Sequence, residues 1–485
     1  MSQIKKFIVE EATIADMQEA INAKAVSSRE LVLMYLDRIA KFDKSGLSIN
    51  SVAEINPDAI HIAEALDRHM ELNGPIGPLH GIPILIKDNI NTGDKMHTTA
   101  GSLSLSDNYA PEDAFVVKKL RAAGAVILGK TNLTEFANFM TENMPNGYSS
   151  RGGQVLNPYG PGKFDVGGSS SGSGASVACS FCAGAIGTET SGSILSPACR
   201  NSVVGIKPTV GLVGRSGIVP IAHSQDTAGP IARTVADAAL LLGAITGEDS
   251  EDPVTLASCR RSFMDYTRFL DKAGLEGVRI GIPRDYFYDE LSMEQIMLAE
   301  AAVKLLKELG AVIVEPADIP SAKEFKEYEV LLYEFKSDMN SYLARYGGSR
   351  TMHTLKDIID FNNSKPEEAL KYGQTILVKS QETKGTLAES EYILERLKDL
   401  RLSQTEGIDM VLNKYNLDAV VFPSYLGCDI AARAGYPSVI VPAGYTNEGE
   451  PFGITFTSRA YTEPQLIKYA YAYEQAAKKR KPPIL

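Results

Sequence analysis

Apolar positions along this chain fall into two spacings, and each predicts its own kind of element. In the first stretch Thr13 precedes Asp16 and Ser27 precedes Glu30, the second pair ahead of Leu31, Tyr35, Leu36 and Ile39. A hydroxyl followed at the third position by a carboxylate satisfies the unpaired N–H groups of a helix start, so residues 1–70 read as helices covering a sheet face. Pro83-Ile84-Leu85-Ile86 is a short unbroken apolar run, the pattern of a buried strand, and Lys87 ends it. Phe115, Val116, Leu120 and Ala123 share one side of a helix over 113–123, Gly124 stops it, and Ala125 to Leu128 forms the next strand. A helix over 232–245 follows, with Thr234 as its cap and Asp237 at the third position. The segment 246–275 is polar and irregular. Strand 278–282, helix 292–309 and strand 311–315 then alternate, an amphipathic helix spans 324–346 up to Gly347, and helices continue to about 415. Val420 to Phe422 and Val439 to Val441 restore strands before a last helix over 463–479. Strands and helices alternating along one chain predict the α/β class.

The chain has 485 residues, enough for one large α/β domain or two to three smaller ones. Lys plus Arg is 49 and Asp plus Glu is 60, a formal charge of −11, which argues against nonspecific nucleic-acid binding. The basic run Lys478 to Lys481 reads as a solvated helix end. The first residues lack the apolar core of a signal peptide and no run is long enough to span a bilayer, so the expectation is a cytoplasmic protein with no membrane partner. Five cysteines fit a reducing compartment. Cys179 and Cys182 form a C-x-x-C without a second pair, and read as small buried hydrophobes, not as metal ligands.

The chemistry concentrates in Gly167 to Ser193, GGSSSGSGASVACSFCAGAIGTETSGS. Glycines there let backbone N–H groups and hydroxyls face a small ligand. The small apolar run Ala175 to Ile186 suits a buried helix and strand that bring the Gly167–Gly172 turn and the Thr190–Ser193 turn to one site. A flexible linker has no reason to continue into Val177, Phe181, Ile186, Ile194 and Leu195. Gly168 to Gly172 also satisfies the nucleophile-elbow pattern G-x-S-x-G, but the elbow needs a preceding strand and Asn157 to Gly162 is loop material. Lys87, at the end of an apolar strand, is costly to bury charged; burial would depress its pKa and make it a base, while a side chain reaching the surface would stay an ordinary lysine. Gly124 to Thr131 matches the P-loop pattern letter for letter, which raises ATP binding as a reading from another class. Its middle residues are a strand interior, the wrong context for cradling phosphate. His223 and Asp226 raise a Ser-His-Asp relay, which residues this close in a loop do not readily form.

Taken together, the segments GPLHGIPILIKDNI, DAFVVKKLRAAGAVILGKTNLTEF, GGSSSGSGASVA, GTETSGSI, VVGIKPTVGLV and GYPSVIVPAG, in this order, resemble the amidase signature family over most of the chain. The resemblance implies a single large α/β domain with a mixed central β-sheet flanked by α-helices. Within 1–485, residues 1–70 would form a helical cover, 75–245 the signature core, 250–400 a variable, mostly helical region that shapes the substrate site, and 415–485 a return to the sheet and a final helix. It also implies a Ser-cisSer-Lys triad: Ser193 as nucleophile, Ser169 as the bridging serine after a cis peptide bond, and Lys87 as base. The amides of Thr190, Ser191, Gly192 and Ser193 would form the oxyanion hole, and no metal or organic cofactor is implied.

This chain departs from the commonest pattern of that family at Glu189 and Ser191, where Asp and Gly are usual, and at Ser171, where Gly is usual. SSRGGQVLNPYG, LLYEFKSDMNSYL and GYPSVIVPAG look most like peptide amidases and related bacterial amidases. The expected partner is a small-molecule or peptide amide, with a homodimer left open; the second reading within the family is the glutaminase component of a glutamyl-tRNA amidotransferase, its A subunit.

Overall fold

The computed structural model describes residues 7–325 and 328–485. Its frame is a mixed sheet of eleven strands. In chain order these are β1 (Val52–Ile55), β2 (Pro83–Lys87), β3 (Val126–Thr131), β6 (Gly184–Glu189), β7 (Val204–Lys207), β8 (Thr227–Ala232), β9 (Arg279–Gly281), β10 (Val312–Val314), β11 (Ala419–Pro423), β12 (Ser438–Tyr445) and β13 (Pro451–Thr457); β4 (Tyr148–Ser149) and β5 (Gly153–Gln154) make a separate two-stranded hairpin. Across the sheet the order is β1-β3-β2-β6-β8-β7-β12-β13-β11-β9-β10. The β3-β2-β6 and β11-β9-β10 neighbours pair in parallel and the others antiparallel, so the α/β architecture with one mixed sheet is the one expected. Strands β2, β3, β6 and β8 are buried along their whole length, the consequence of covering both sheet faces with helices.

The capping patterns do what their chemistry requires. Thr13 and Ser27 each accept the N–H three residues on, while Asp16 and Glu30 reach back to the cap N–H, starting helices Ile14–Asn22 and Ser28–Arg38. Thr234 accepts from the Asp237 N–H and starts the helix Val235–Ile245, after β8 has already taken Ala232. Residues 1–70 are not helical throughout: Val52–Ile55 is an edge strand antiparallel to β3, a run too short for its period to stand out. The helix expected over 324–346 spans Glu329–Arg345, and residues 326 and 327 lie outside the described residues, as do 1–6 of the N-terminal cover. The basic run after helix Glu463–Ala477 is not wholly solvated: Arg480 is largely buried, paired with Glu11 at 2.6 Å, and donates to the Ser202 carbonyl at 2.8 Å. Burial pulls the Arg480 pKa down, but Tyr159 and Glu11 more than offset it, so the guanidinium stays charged. Cys179 and Cys182 are buried free thiols. Among the described residues no helix is long and apolar enough to cross a membrane.

A second apolar cluster lies apart from the main core. Phe335, Met339 and Tyr342 on helix Glu329–Arg345, with Leu355, Ile358 and Leu377 on neighbouring helices, pack with Phe136, Phe139, Val219 and Ile221 from the segments between the strands. Burial of these side chains fastens a helical layer over the segments that follow β2, β3 and β7.

Candidate active site

The pairing of β2 with β6 sets the position of Lys87. These strands run in parallel with Ile86 opposite Ile186, so Lys87 leaves the sheet beside Gly187 and Thr188. Its amine is fully buried. Lys87 Nζ donates to Ser169 Oγ at 2.8 Å, to Thr188 Oγ1 at 2.9 Å and to the Thr188 carbonyl at 3.3 Å. Burial pulls its pKa down to about 7, with Glu189 and Asp226 pushing the other way. A lysine in this setting exchanges protons near neutrality.

Ser169 follows a cis peptide bond from Gly168 and precedes the helix Ser171–Ala178. That helix is made of small residues because nothing larger fits: a Cβ on Gly172 would lie 2.3 Å from the carbonyl oxygens of both Asn132 and Ser51. Ser170 latches the two turns together. Its N–H donates to the Ser193 carbonyl at 3.1 Å, its hydroxyl donates to the Thr188 carbonyl at 3.1 Å, and it accepts the Thr188 N–H at 3.3 Å. A Cβ on Gly187 would stand 2.8 Å from the Ser170 hydroxyl, so the approach depends on glycine there.

The second turn is tied at both ends. Glu189 accepts the N–H groups of Ile194 at 2.6 Å and Leu195 at 2.9 Å, occupying the start of the helix Leu195–Arg200 where unpaired N–H groups favour an anion. Burial raises the Glu189 pKa, while Lys207 and the Leu195, Ile194 and Gly192 amides oppose the shift. Thr190 Oγ1 donates to Asp226 at 2.5 Å, and Asp226 also accepts the N–H groups of Ile221 and Ala222. Burial lifts the Asp226 carboxyl to about 6. Ser191, the departure from the usual glycine, donates its hydroxyl to Asp429.

Ser193 is nearly buried and borders a cavity of about 190 Å³ with Gly168, Thr190, Ser191, Phe139 and Leu331 among its walls. Lys87, Ser169 and the Thr190–Ser193 turn thus converge on one place, with Lys87 and Ser169 in direct contact.

Two other sequence patterns come apart. His223 and Asp226 form no relay: the His223 ring pairs with Asp338 at 2.9 Å, while Asp226 faces Thr190 and the loop amides. The P-loop letters fall on β3, where Lys130 is buried and donates to the Ile90 carbonyl at 2.6 Å and Thr98 Oγ1 at 2.9 Å. A Cβ on Gly129 would meet the Glu54 carbonyl at 2.3 Å, so no open phosphate loop exists in this stretch. Sequence reasoning missed Thr188 and Asn89, whose Nδ2 donates to Thr188 Oγ1 at 2.9 Å. No local pattern marks them; only the pairing of β2 with β6 does.

A family model for amidases matches residues 30–467. A probable amidase of Arabidopsis thaliana is 41% identical, over 98% of this chain and 92% of its own. The A subunit of the glutamyl-tRNA(Gln) amidotransferase of Thiobacillus denitrificans is 32% identical, over 96% of each chain. The native peptide amidase of Stenotrophomonas maltophilia superposes with a TM-score of 0.91 at 44% identity, covering 98% of both chains. The family match and these neighbours therefore define an amide hydrolase acting on carbon–nitrogen bonds. The chain belongs to the amidase family.

Proposed function

We propose that this protein hydrolyses a peptide-like or small aliphatic or aryl amide to a carboxylic acid and ammonia or an amine, through an acyl-enzyme on Ser193. The contact that carries the reading is Lys87 Nζ to Ser169 Oγ, 2.8 Å, in a site dry enough to hold the amine near neutrality. A serine hydroxyl is a weak nucleophile until a neighbouring base takes its proton. Neutral Lys87 takes a proton from Ser169 as Ser169 takes one from Ser193, whose Oγ bonds to the carbonyl carbon. The carbonyl oxygen becomes an anion facing the amides of Thr190, Ser191, Gly192 and Ser193, the kind of donor whose single loss typically costs about 2.7–4 kcal/mol. When the tetrahedral centre collapses the C–N bond breaks and Ser169 returns the proton to the departing nitrogen. Water then attacks the acyl-enzyme, with Ser169 and Lys87 accepting its proton and restoring the Ser193 hydroxyl.

The helical layer over 329–400 supplies Leu331 to the wall of the Ser193 cavity, which supports its role in shaping the substrate site. The 44% identity to a peptide amidase favours peptide amides as substrates. The similarity to the A subunits of amidotransferases favours a second reading, a glutaminase that feeds ammonia to a partner. The purified chain, offered primary amides, peptide amides and glutamine, separates them. Ammonia release from simple or peptide amides without a partner supports the hydrolase; glutamine-specific release that requires other proteins overturns it.

A further inference from the structure

A second cavity, of about 240 Å³, adjoins the one at Ser193. Ala137, Thr190 and Ile221 line both, so the two chambers meet at these three residues. Ser193 borders only the first, whereas Thr188 and Asn89 border only the second. The Lys87 amine donates both to Ser169 and to Thr188, so a single nitrogen links the proton route to the wall of the second chamber. That chamber thus lies beside the pair that, in the reading above, returns a proton to the departing nitrogen.

Its walls say what it takes. Ile218, Val219, Pro220, Tyr342 and Tyr346 give it apolar and aromatic surface. The charged groups at its margin are already paired: Arg215 with Asp252 at 2.7 Å, Arg345 with Glu251 at 3.1 Å, His223 with Asp338 at 2.9 Å. Asp226 is occupied by the Thr190 hydroxyl and two amides. The four carboxylates of this lining outnumber its two guanidiniums and one imidazole, so the chamber disfavours an anionic substituent. In the wall, the Oδ1 of Asn89, a residue only 2% exposed, has no hydrogen-bond partner among the described residues. Thr188 Oγ1 already accepts from Lys87 and Asn89, so its own hydroxyl hydrogen is directed elsewhere. Buried polar groups of this kind are satisfied by a ligand or by water. The volume suits one ring better than a drug-sized molecule.

We propose that the second chamber receives the amine side of the scissile bond, so that this protein cleaves secondary amides whose nitrogen carries a flat, uncharged, mostly apolar substituent. This rests on the serine acyl-transfer reading. The bond that breaks is C–N; the nitrogen takes its proton from Ser169 and leaves as a neutral aryl or arylalkyl amine into the chamber, while the acyl group stays on Ser193.

The test compares kcat/KM for three amides of one acyl group: the primary amide, the anilide, and an amide whose nitrogen carries a carboxyphenyl group. The expected order puts the anilide at least tenfold above the carboxyphenyl amide. Ser341→Trp, which fills the chamber from the covering helix, lowers the ratio of anilide to primary-amide kcat/KM at least tenfold. Tyr346→Ala, which enlarges it, raises the ratio of naphthylamide to anilide turnover and serves if the tryptophan variant does not fold. Hydrolysis of the primary amide without the anilide, or ratios unchanged in both variants, overturns the inference and leaves the amidase reading standing. Failure to cleave all three, with other acyl groups also inert, overturns both.

Discussion

The amine of Lys87 lies 2.8 Å from the hydroxyl of Ser169 although eighty-two positions separate them in the chain. The parallel pairing of β2 with β6 delivers the lysine, and the small-residue helix Ser171–Ala178 holds the serine. The same contact fixes the protonation state, because a site packed closely enough to join these groups also excludes the water that would keep the amine charged.

That protonation state predicts a pH profile. The Lys87 base works when neutral, and its pKa stands at about 7, so kcat/KM for a neutral amide rises as pH climbs through about 7 and levels above it. The stability effect has the same sign. Between about 7 and the unfolded lysine value of roughly 10.4 the unfolded chain binds more protons at this position, so the contribution of Lys87 to stability grows with pH over that window and is lost as pH falls to 7. Lys87→Met removes turnover and raises the melting temperature at pH 6; a variant that melts lower and keeps its activity contradicts this.

Ser169→Ala breaks the proton route while leaving Lys87 its bonds to Thr188. The expected loss in kcat is about 10²–10⁴-fold, the range for a positioned proton donor. Steady-state kinetics with a primary amide measure it, and a loss below fivefold would mean the lysine reaches Ser193 by another path.

Much of the site could be read from one dimension because its chemistry uses residues that are informative by themselves. Glycines crowd where a Cβ cannot fit, as at Gly172 and Gly187, and a lysine ends an apolar strand. Capping hydroxyls at Thr13, Ser27 and Thr234 marked helix starts for the same local reason. What escaped depends on contacts between distant segments. Val52–Ile55 is a strand only because β3 lies beside it, and Asp226 serves Thr190, not His223, because the loop folds its carboxylate toward β6. The P-loop letters could be set aside from sequence because their middle residues read as a strand, and the Lys130 amine finds carbonyl and hydroxyl partners there.

The Thr190 hydroxyl and Asp226 position the turn whose amides face the carbonyl oxygen. Thr190→Val removes one hydrogen bond to a buried carboxylate, an interaction of about 1.5–3 kcal/mol. The expected signature is a fall in kcat of roughly tenfold or more with KM for the primary amide near the starting value, and partial recovery in Thr190→Ser. Equal effects on kcat and KM with no recovery would point to a general loss of structure instead.

Gly172→Ala tests the packing behind Ser169. Its Cβ would meet two backbone oxygens that cannot swing away, so the helix has to shift, at a cost of about 1–3 kcal/mol. Denaturant unfolding reads that change. Stability within about 0.5 kcal/mol of the starting protein would show that the close approach is not required.

The most direct test is the rate at which an alkyl fluorophosphonate labels the protein as pH is varied, with the modified residue located by mass spectrometry. A Lys87 base acting through Ser169 predicts a single adduct on Ser193, a labelling rate that rises with a midpoint near pH 7, and loss of that rise in Lys87→Met. Labelling at another residue, or a rate for Ser193 that is independent of pH and unchanged in Lys87→Met, would contradict it.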